Sequence, residues 1–139
     1  MIAYIDTSVV MRIVLNDPHQ LPEWSELRDV VSSRLLQVEA LRALDQLWHR
    51  GKLTHDTFAE KAARFRSFLP RIEILPLNDE VFDRASLPLP TELGTLDCLH
   101  LATAILYRAS RRKTSLLFAT HDLQLARAAR AMQFEVIGA

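Results

Sequence analysis

The sequence predicts an α/β fold, with helices covering both faces of a mostly parallel sheet of about five short strands. Three observations predict it. Short apolar runs alternate along the chain with segments of helical spacing, which implies right-handed crossovers between parallel strands. The runs Ile2 to Ile5 and Leu116 to Ala119 are apolar and end abruptly at polar residues, Asp6-Thr7-Ser8 and Thr120-His121-Asp122. Capping residues and prolines fall at the junctions between the two kinds of segment.

Each element follows in order. Ile2 to Ile5 is a buried strand that delivers Asp6 to its carboxyl end, and Thr7 or Ser8 is expected to cap a helix carrying Val9, Val10, Ile13, Val14 and Leu15. Asn16-Asp17-Pro18 breaks that helix, and Pro22 can start a short helix through about Leu27. Val30-Val31 is a brief strand. Ser32 or Ser33 is expected to cap a long helix from about Arg34 to Arg50, which stops at Gly51. Thr54 caps a further helix to about Phe68, where Phe58, Ala62, Phe65 and Leu69 share one face, and Pro70 ends it. Ile72 to Leu75 reads as a strand, Asn78 as the cap of a helix to about Ala85, and Leu87 to Gly94 as a loop. Thr95 is expected to cap a helix from Leu96 to Ser110. Leu116 to Ala119, Leu123 to Met132 and Glu135 to Ile137 complete the chain as strand, helix and strand.

At 139 residues the chain is expected to form one domain with a real core. A hydrophobic content of 49% with 24% charged residues is ordinary for a soluble globular protein. Seventeen basic residues balance seventeen acidic ones, so a nucleic acid must be met through a local patch or a metal, not a global field. The Arg111-Arg112-Lys113 run reads first as a solvated helix end. Cys98 is the only cysteine, which excludes an internal disulfide and thiolate metal clusters. Three glycines leave no Gly-rich phosphate loop. No stretch has the length of a membrane span or the pattern of a signal peptide, and a cytoplasmic location is expected.

Four acids carry the functional argument. Ligands of open α/β sheets bind outside the carboxyl ends of the strands, where Asp6 is expected to lie. Asp122 repeats that placement after Leu116 to Ala119, with helix capping as its plain structural role. Asp97 opens a helix that is apolar on nearly every side, and a buried carboxylate is costly unless paired, hydrogen-bonded or bound to metal. Complementing the positive end of its helix is the structural alternative. Glu39 borders the polar face formed by Arg42, Gln46 and Arg50, so periodicity alone favours a solvated residue. Carboxylates converging on one sheet edge repel one another, and a divalent cation resolves the repulsion. All-oxygen ligation suits Mg2+ or Mn2+, and such a site can activate water against a phosphodiester. His100 and His121 lie beside these acids, and a satisfied structural role is the favoured reading for each.

Four pieces in sequence carry a resemblance: Tyr4-Ile-Asp6-Thr7-Ser8, Ser33 through Glu39 to Arg42, Leu96-Asp97 through Ala104, and Phe118-Ala-Thr120-His-Asp122 through Ala126. In these pieces, their order and their spacing the chain resembles the PIN-domain ribonucleases, specifically the VapC-type toxins of bacterial toxin–antitoxin pairs. The resemblance implies a single PIN domain over residues 1–139, a three-layer α/β/α fold, and a metal-dependent endoribonuclease cutting single-stranded or loop RNA such as tRNA, rRNA or mRNA. It implies Asp6 and Asp97 as principal Mg2+ or Mn2+ ligands, with Glu39 and Asp122 completing the acidic cluster and orienting the attacking water. Thr7, Ser8 or Thr120 would hydrogen-bond the carboxylates or the scissile phosphate, and Arg42 would stand near the substrate. A homodimer and a cognate antitoxin that occludes the cleft are also implied.

The competing readings fit less well. A haloacid-dehalogenase-type phosphatase wants a second acid two residues after the first, where this chain has Ser8. A receiver domain wants paired early acids and a Lys after a late strand, and the stretch after Ala119 offers Asp122 but no Lys. A catalytically silent PIN-like scaffold that binds protein or RNA is the non-enzymatic alternative, and the presence of all four acids argues against it.

Overall fold

Strand and helix alternate as the apolar patterning requires, in a computed structural model that describes residues 2–139. The strands are β1 (Ile2–Ile5), β2 (Asp29–Ser33), β3 (Ile72–Leu75), β4 (Leu116–Ala119) and β5 (Glu135–Ile137). The helices are α1 (Thr7–Val14), α2 (Leu35–His49), α3 (His55–Phe68), α4 (Asp79–Ala85), α5 (Thr95–Ser110) and α6 (Leu123–Ala131). Pro22–Glu26 forms a 3-10 turn where a short α-helix is expected, and a second such turn, Leu69–Arg71, follows α3 at Pro70.

Because side chains alternate across a strand, each strand feeds two cores. Ala3, Ile5, Val30, Ile72, Leu117 and Ala119 point to one face and pack with buried residues of α1, α2 and α3. Tyr4, Val31, Leu116 and Phe118 point to the other and pack with Leu101, Ala104, Leu125 and Ala128 of α5 and α6. The result is three layers, helix on sheet on helix. Every strand pair is parallel, so the sheet is wholly rather than mostly parallel.

Strand order is β3-β2-β1-β4-β5. The chain leaves β1 to build β2 and β3 on one side, then returns to build β4 and β5 on the other, so the order reverses between β1 and β4. Loops part at such a reversal and leave a crevice at the carboxyl ends of the two strands. Ile5 pairs with Ala119, so the next residue of each strand, Asp6 and Thr120, lie side by side at that crevice.

Four helix starts differ from or refine the sequence reading. Thr7 and Ser8 lie inside α1, with Asp6 at the N-cap position making no side-chain cap bond, because its carboxylate is engaged elsewhere. Gly94, not Thr95, precedes α5. Ser33 ends β2, yet its hydroxyl still accepts from the Leu35 amide at 3.1 Å. Thr54 caps α3 with a reciprocal capping box through Thr57. At the other end of α2, Gly51 takes a left-handed turn (φ 70°) while Gly51 N bonds Trp48 O and Lys52 N bonds Leu47 O, the double bond of a Schellman stop.

Candidate active site

Asp6 is 4% exposed and is held from both sides. The Ser8 hydroxyl donates to Oδ1 at 2.6 Å, and the Thr120 hydroxyl donates to Oδ2 at 3.0 Å. Those hydroxyls are themselves anchored, since Ser8 Oγ accepts from the His121 amide and Thr120 Oγ1 from the Asp122 amide, both at 3.0 Å. The turn after β4 is thus tied to the carboxylate that ends β1. Burial pushes the Asp6 carboxyl up from its ordinary value; Ser8, His100 and Thr120 pull against that without cancelling it.

Glu39 stands beside it on α2. Its Oε1 accepts from the Thr7 hydroxyl at 2.9 Å and meets His100 Nε2 at 2.5 Å. Burial raises this carboxyl, but its bonds to His100 and Thr7 outweigh burial and hold it below the usual range. The opposite outcomes for two neighbouring acids follow from two differences: Glu39 is less buried than Asp6, and its carboxylate meets His100 directly.

Asp97 lies in the first turn of α5, where the helix dipole favours the ionised form. Its carboxyl is nevertheless raised from 3.8 to about 6, first by burial and then by the charges of Asp122, Asp6 and Glu39. Asp122 caps α6, accepting from the Leu125 amide at 2.8 Å through Oδ1. Its structural role is therefore real and leaves Oδ2 free of hydrogen bonds to the described residues.

The structure brings Asp6, Glu39, Asp97, Asp122, Thr7, Ser8 and Thr120 to one sheet edge. Arg42 stays outside this group: it is exposed and pairs with Asp45 at 2.9 Å. Among the described residues no ion pair joins Lys or Arg to any of the four acids. Sequence reasoning missed Tyr4 as a site-supporting residue. Its hydroxyl meets His100 Nδ1 at 2.7 Å in the core. The available signal was that Tyr4 carries the one polar side-chain atom of an otherwise apolar strand.

A PIN domain model matches residues 3–131, nearly the whole chain. The chain is 35% identical over 104 residues to Ribonuclease VapC46 of Mycobacterium tuberculosis, covering 73% of this chain and 72% of that protein. It belongs to the PIN-domain family, among the VapC ribonucleases. Ribonuclease VapC47 of the same species is 28% identical over 138 residues, covering 94% of this chain and 92% of the relative. Among solved structures, a toxin–antitoxin complex from Klebsiella pneumoniae superposes with a TM-score of 0.68 at 17% identity, over 97% of this chain and 95% of that one. At that identity the likeness is one of fold.

PIN nucleases generally use a divalent metal. The donor set here fits a hard cation: it consists of carboxylate and hydroxyl oxygens, with no thiolate. Among the described residues no three of His, Cys, Asp or Glu stand close enough to enclose an ion by themselves. That suits Mg2+, which keeps several waters and takes one or two protein carboxylates. A cation would answer the crowding that raises the Asp97 carboxyl, since among the described residues no Lys or Arg pairs with any of the four acids.

Proposed function

We propose that this chain is a Mg2+- or Mn2+-dependent endoribonuclease, the toxin half of a toxin–antitoxin pair, hydrolysing phosphodiester bonds in single-stranded or loop RNA. The observation that carries the reading is the buried Asp6 at the switch point of a parallel sheet, held by Ser8 and Thr120, with Glu39 held beside it by Thr7 and His100 and with Asp97, its carboxyl raised by burial and by the neighbouring acids, on the helix that carries His100. Asp6 and Asp97 are the principal metal ligands, and Glu39 and Asp122 complete the acidic cluster and orient the attacking water. A bound divalent cation supplies relief of carboxylate repulsion, a more acidic water and stabilisation of charge developing on the phosphate. Ser8 and Thr120 hold Asp6, and Thr7 holds Glu39, so the acids meet substrate already oriented.

The ribonuclease names of the two mycobacterial relatives support RNA as substrate, and the Klebsiella complex supports a cognate antitoxin as partner. A homodimer acting in the cytoplasm completes the reading. No helix among the described residues is long and apolar enough to cross a membrane.

The test is brief induction of the chain in a bacterial host with mapping of new RNA 5′ ends, beside Asp97→Asn. A few sharp ends that vanish in the variant establish the nuclease and name its target. Identical maps for wild type, variant and uninduced cells overturn the reading and leave the scaffold.

A further inference from the structure

His100 is 1% exposed, and both ring nitrogens are occupied: Nδ1 faces the Tyr4 hydroxyl at 2.7 Å, and Nε2 faces Glu39 Oε1 at 2.5 Å. The four acids and three hydroxyls described above leave this ring without a function. We infer that His100 is a positioning residue, braced by Tyr4 at Nδ1 and holding Glu39 from Nε2, so that the second Glu39 oxygen is left free of protein donors. The inference rests on the nuclease reading for its catalytic consequence.

The argument runs from the core outward. Tyr4 is fully buried, stacked on Phe118 with ring centroids 5.2 Å apart and set edge-on to His100 at 5.9 Å. Its phenol is held strongly in the protonated form, first by burial and then by the charges of Asp6 and Glu39. At the far side of the ring the Glu39 carboxylate can only accept, so His100 donates to it from Nε2, while Nδ1 is hydrogen-bonded to the Tyr4 hydroxyl. The buried ring is therefore held at both nitrogens, by the core on one side and by the site carboxylate on the other.

The consequence lies in the two oxygens of Glu39. Oε1 takes both the His100 and Thr7 donors, while Oε2 takes none from the described residues. Two donors from different directions fix the carboxylate plane. His100 also spans the layers: it lies on α5, whose Leu101 and Ala104 pack one face of the sheet, while Glu39 lies on α2, whose Leu36 and Ala40 pack the other. The contact ties the two helical layers at the carboxyl edge where the acids converge. Partners of this kind around metal-site carboxylates and histidines are worth about 10–100-fold in activity or metal affinity.

The test uses the full chain, free of metal for one readout and with Mg2+ for the other. In 15N-histidine-labelled protein, His100 Nε2 is expected to carry a proton hydrogen-bonded to Glu39, and Tyr4→Phe is expected to broaden that signal as the ring loses its brace. A wild-type ring with no proton on Nε2 overturns the inference. With Mg2+ and an RNA carrying the mapped cleavage site, His100→Leu is expected to lower kcat about 10–100-fold with KM within about threefold. His100→Gln keeps an N–H near the Nε2 position and is expected to recover most of that loss. Circular dichroism checks that each variant folds; if His100→Leu does not, Tyr4→Phe and His100→Gln carry the comparison. Unchanged kcat in the folded variants, or a loss in His100→Gln as large as in His100→Leu, overturns the inference. If wild type cleaves nothing, the nuclease reading fails, and the spectrum still decides whether His100 donates to Glu39.

Discussion

Replacing Asp97 with Asn is expected to stabilise the metal-free protein while abolishing cleavage. The Asp97 carboxyl stands at about 6 instead of 3.8, so folding makes its ionised form less favourable. A displacement of roughly two units corresponds to about 3 kcal/mol if nothing screens it. Asp97 is only half-buried, so solvent screens much of this, and about 1–1.5 kcal/mol is expected at pH 7.5. For a domain of this size that amounts to roughly 3–6 °C in Tm. The sign follows from proton uptake. Between about 3.8 and about 6 the folded chain holds more protons than the unfolded one, so stability falls as pH rises through that window. The penalty is complete above about 6 and absent below 3.8, so the gain in the variant at pH 4.5 is expected to be roughly a third of that at pH 7.5. Urea melts of both proteins in EDTA at the two pH values measure it. A variant no more stable than wild type at pH 7.5, or a gain that persists undiminished at pH 4.5, refutes the claim that the acids crowd Asp97.

Three further outcomes follow from local geometry. Gly138→Ala places a Cβ 2.6 Å from the Thr120 carbonyl oxygen at φ +93°, and thermal melts are expected to show a loss of about 1–3 kcal/mol, with cleavage falling as Thr120 moves away from Asp6. Gln133, which ends α6 in the left-handed region at φ 64°, is expected to gain about 0.5–1 kcal/mol as Gln133→Gly by the same melts, since the turn uses its backbone and not its side chain. Burial raises the Cys98 thiol, and its Sγ donates to the Ala85 carbonyl at 3.2 Å, so iodoacetamide at pH 7.5 is expected to label the folded protein at least about tenfold more slowly than the urea-unfolded chain.

What the sequence makes legible is local, and what it hides is not. The strand from Ile2 to Ile5 and the caps Thr54, Asn78 and Asp122 follow from apolar runs and neighbouring polar residues, and the structure has them. Asp6 and Asp122 were legible as site candidates because each directly follows a buried strand. Glu39 was not, because a helical wheel sees only its own helix. Its partners Thr7 and His100 lie 32 and 61 residues away, and only the fold brings them to it. Family resemblance placed Glu39 at the site where periodicity favoured solvent. The Thr7 and Ser8 hydroxyls misled in the opposite way: residues of capping type stood where caps are expected, but site carboxylates claimed both hydroxyls, Glu39 from 32 residues away and Asp6 from two.

The placement of the site's acids on helix starts bears on how they are oriented. Three of them stand at helix starts, Asp6 before α1, Asp97 in the first turn of α5 and Asp122 before α6. Each start contributes a partial positive charge of roughly half a unit, and the three meet at one sheet edge. Such dipoles, with hydroxyl and imidazole donors, orient carboxylates without a salt bridge. The dipoles do not offset the crowding, because Asp97 remains raised to about 6. A chain whose formal net charge is zero thus gathers four acids at one crevice with no Lys or Arg paired to them among the described residues. On the proposed nuclease reading, such a crevice would take a phosphodiester only together with a divalent cation, and the crowding expected to weaken the metal-free chain would be the feature that recruits the ion.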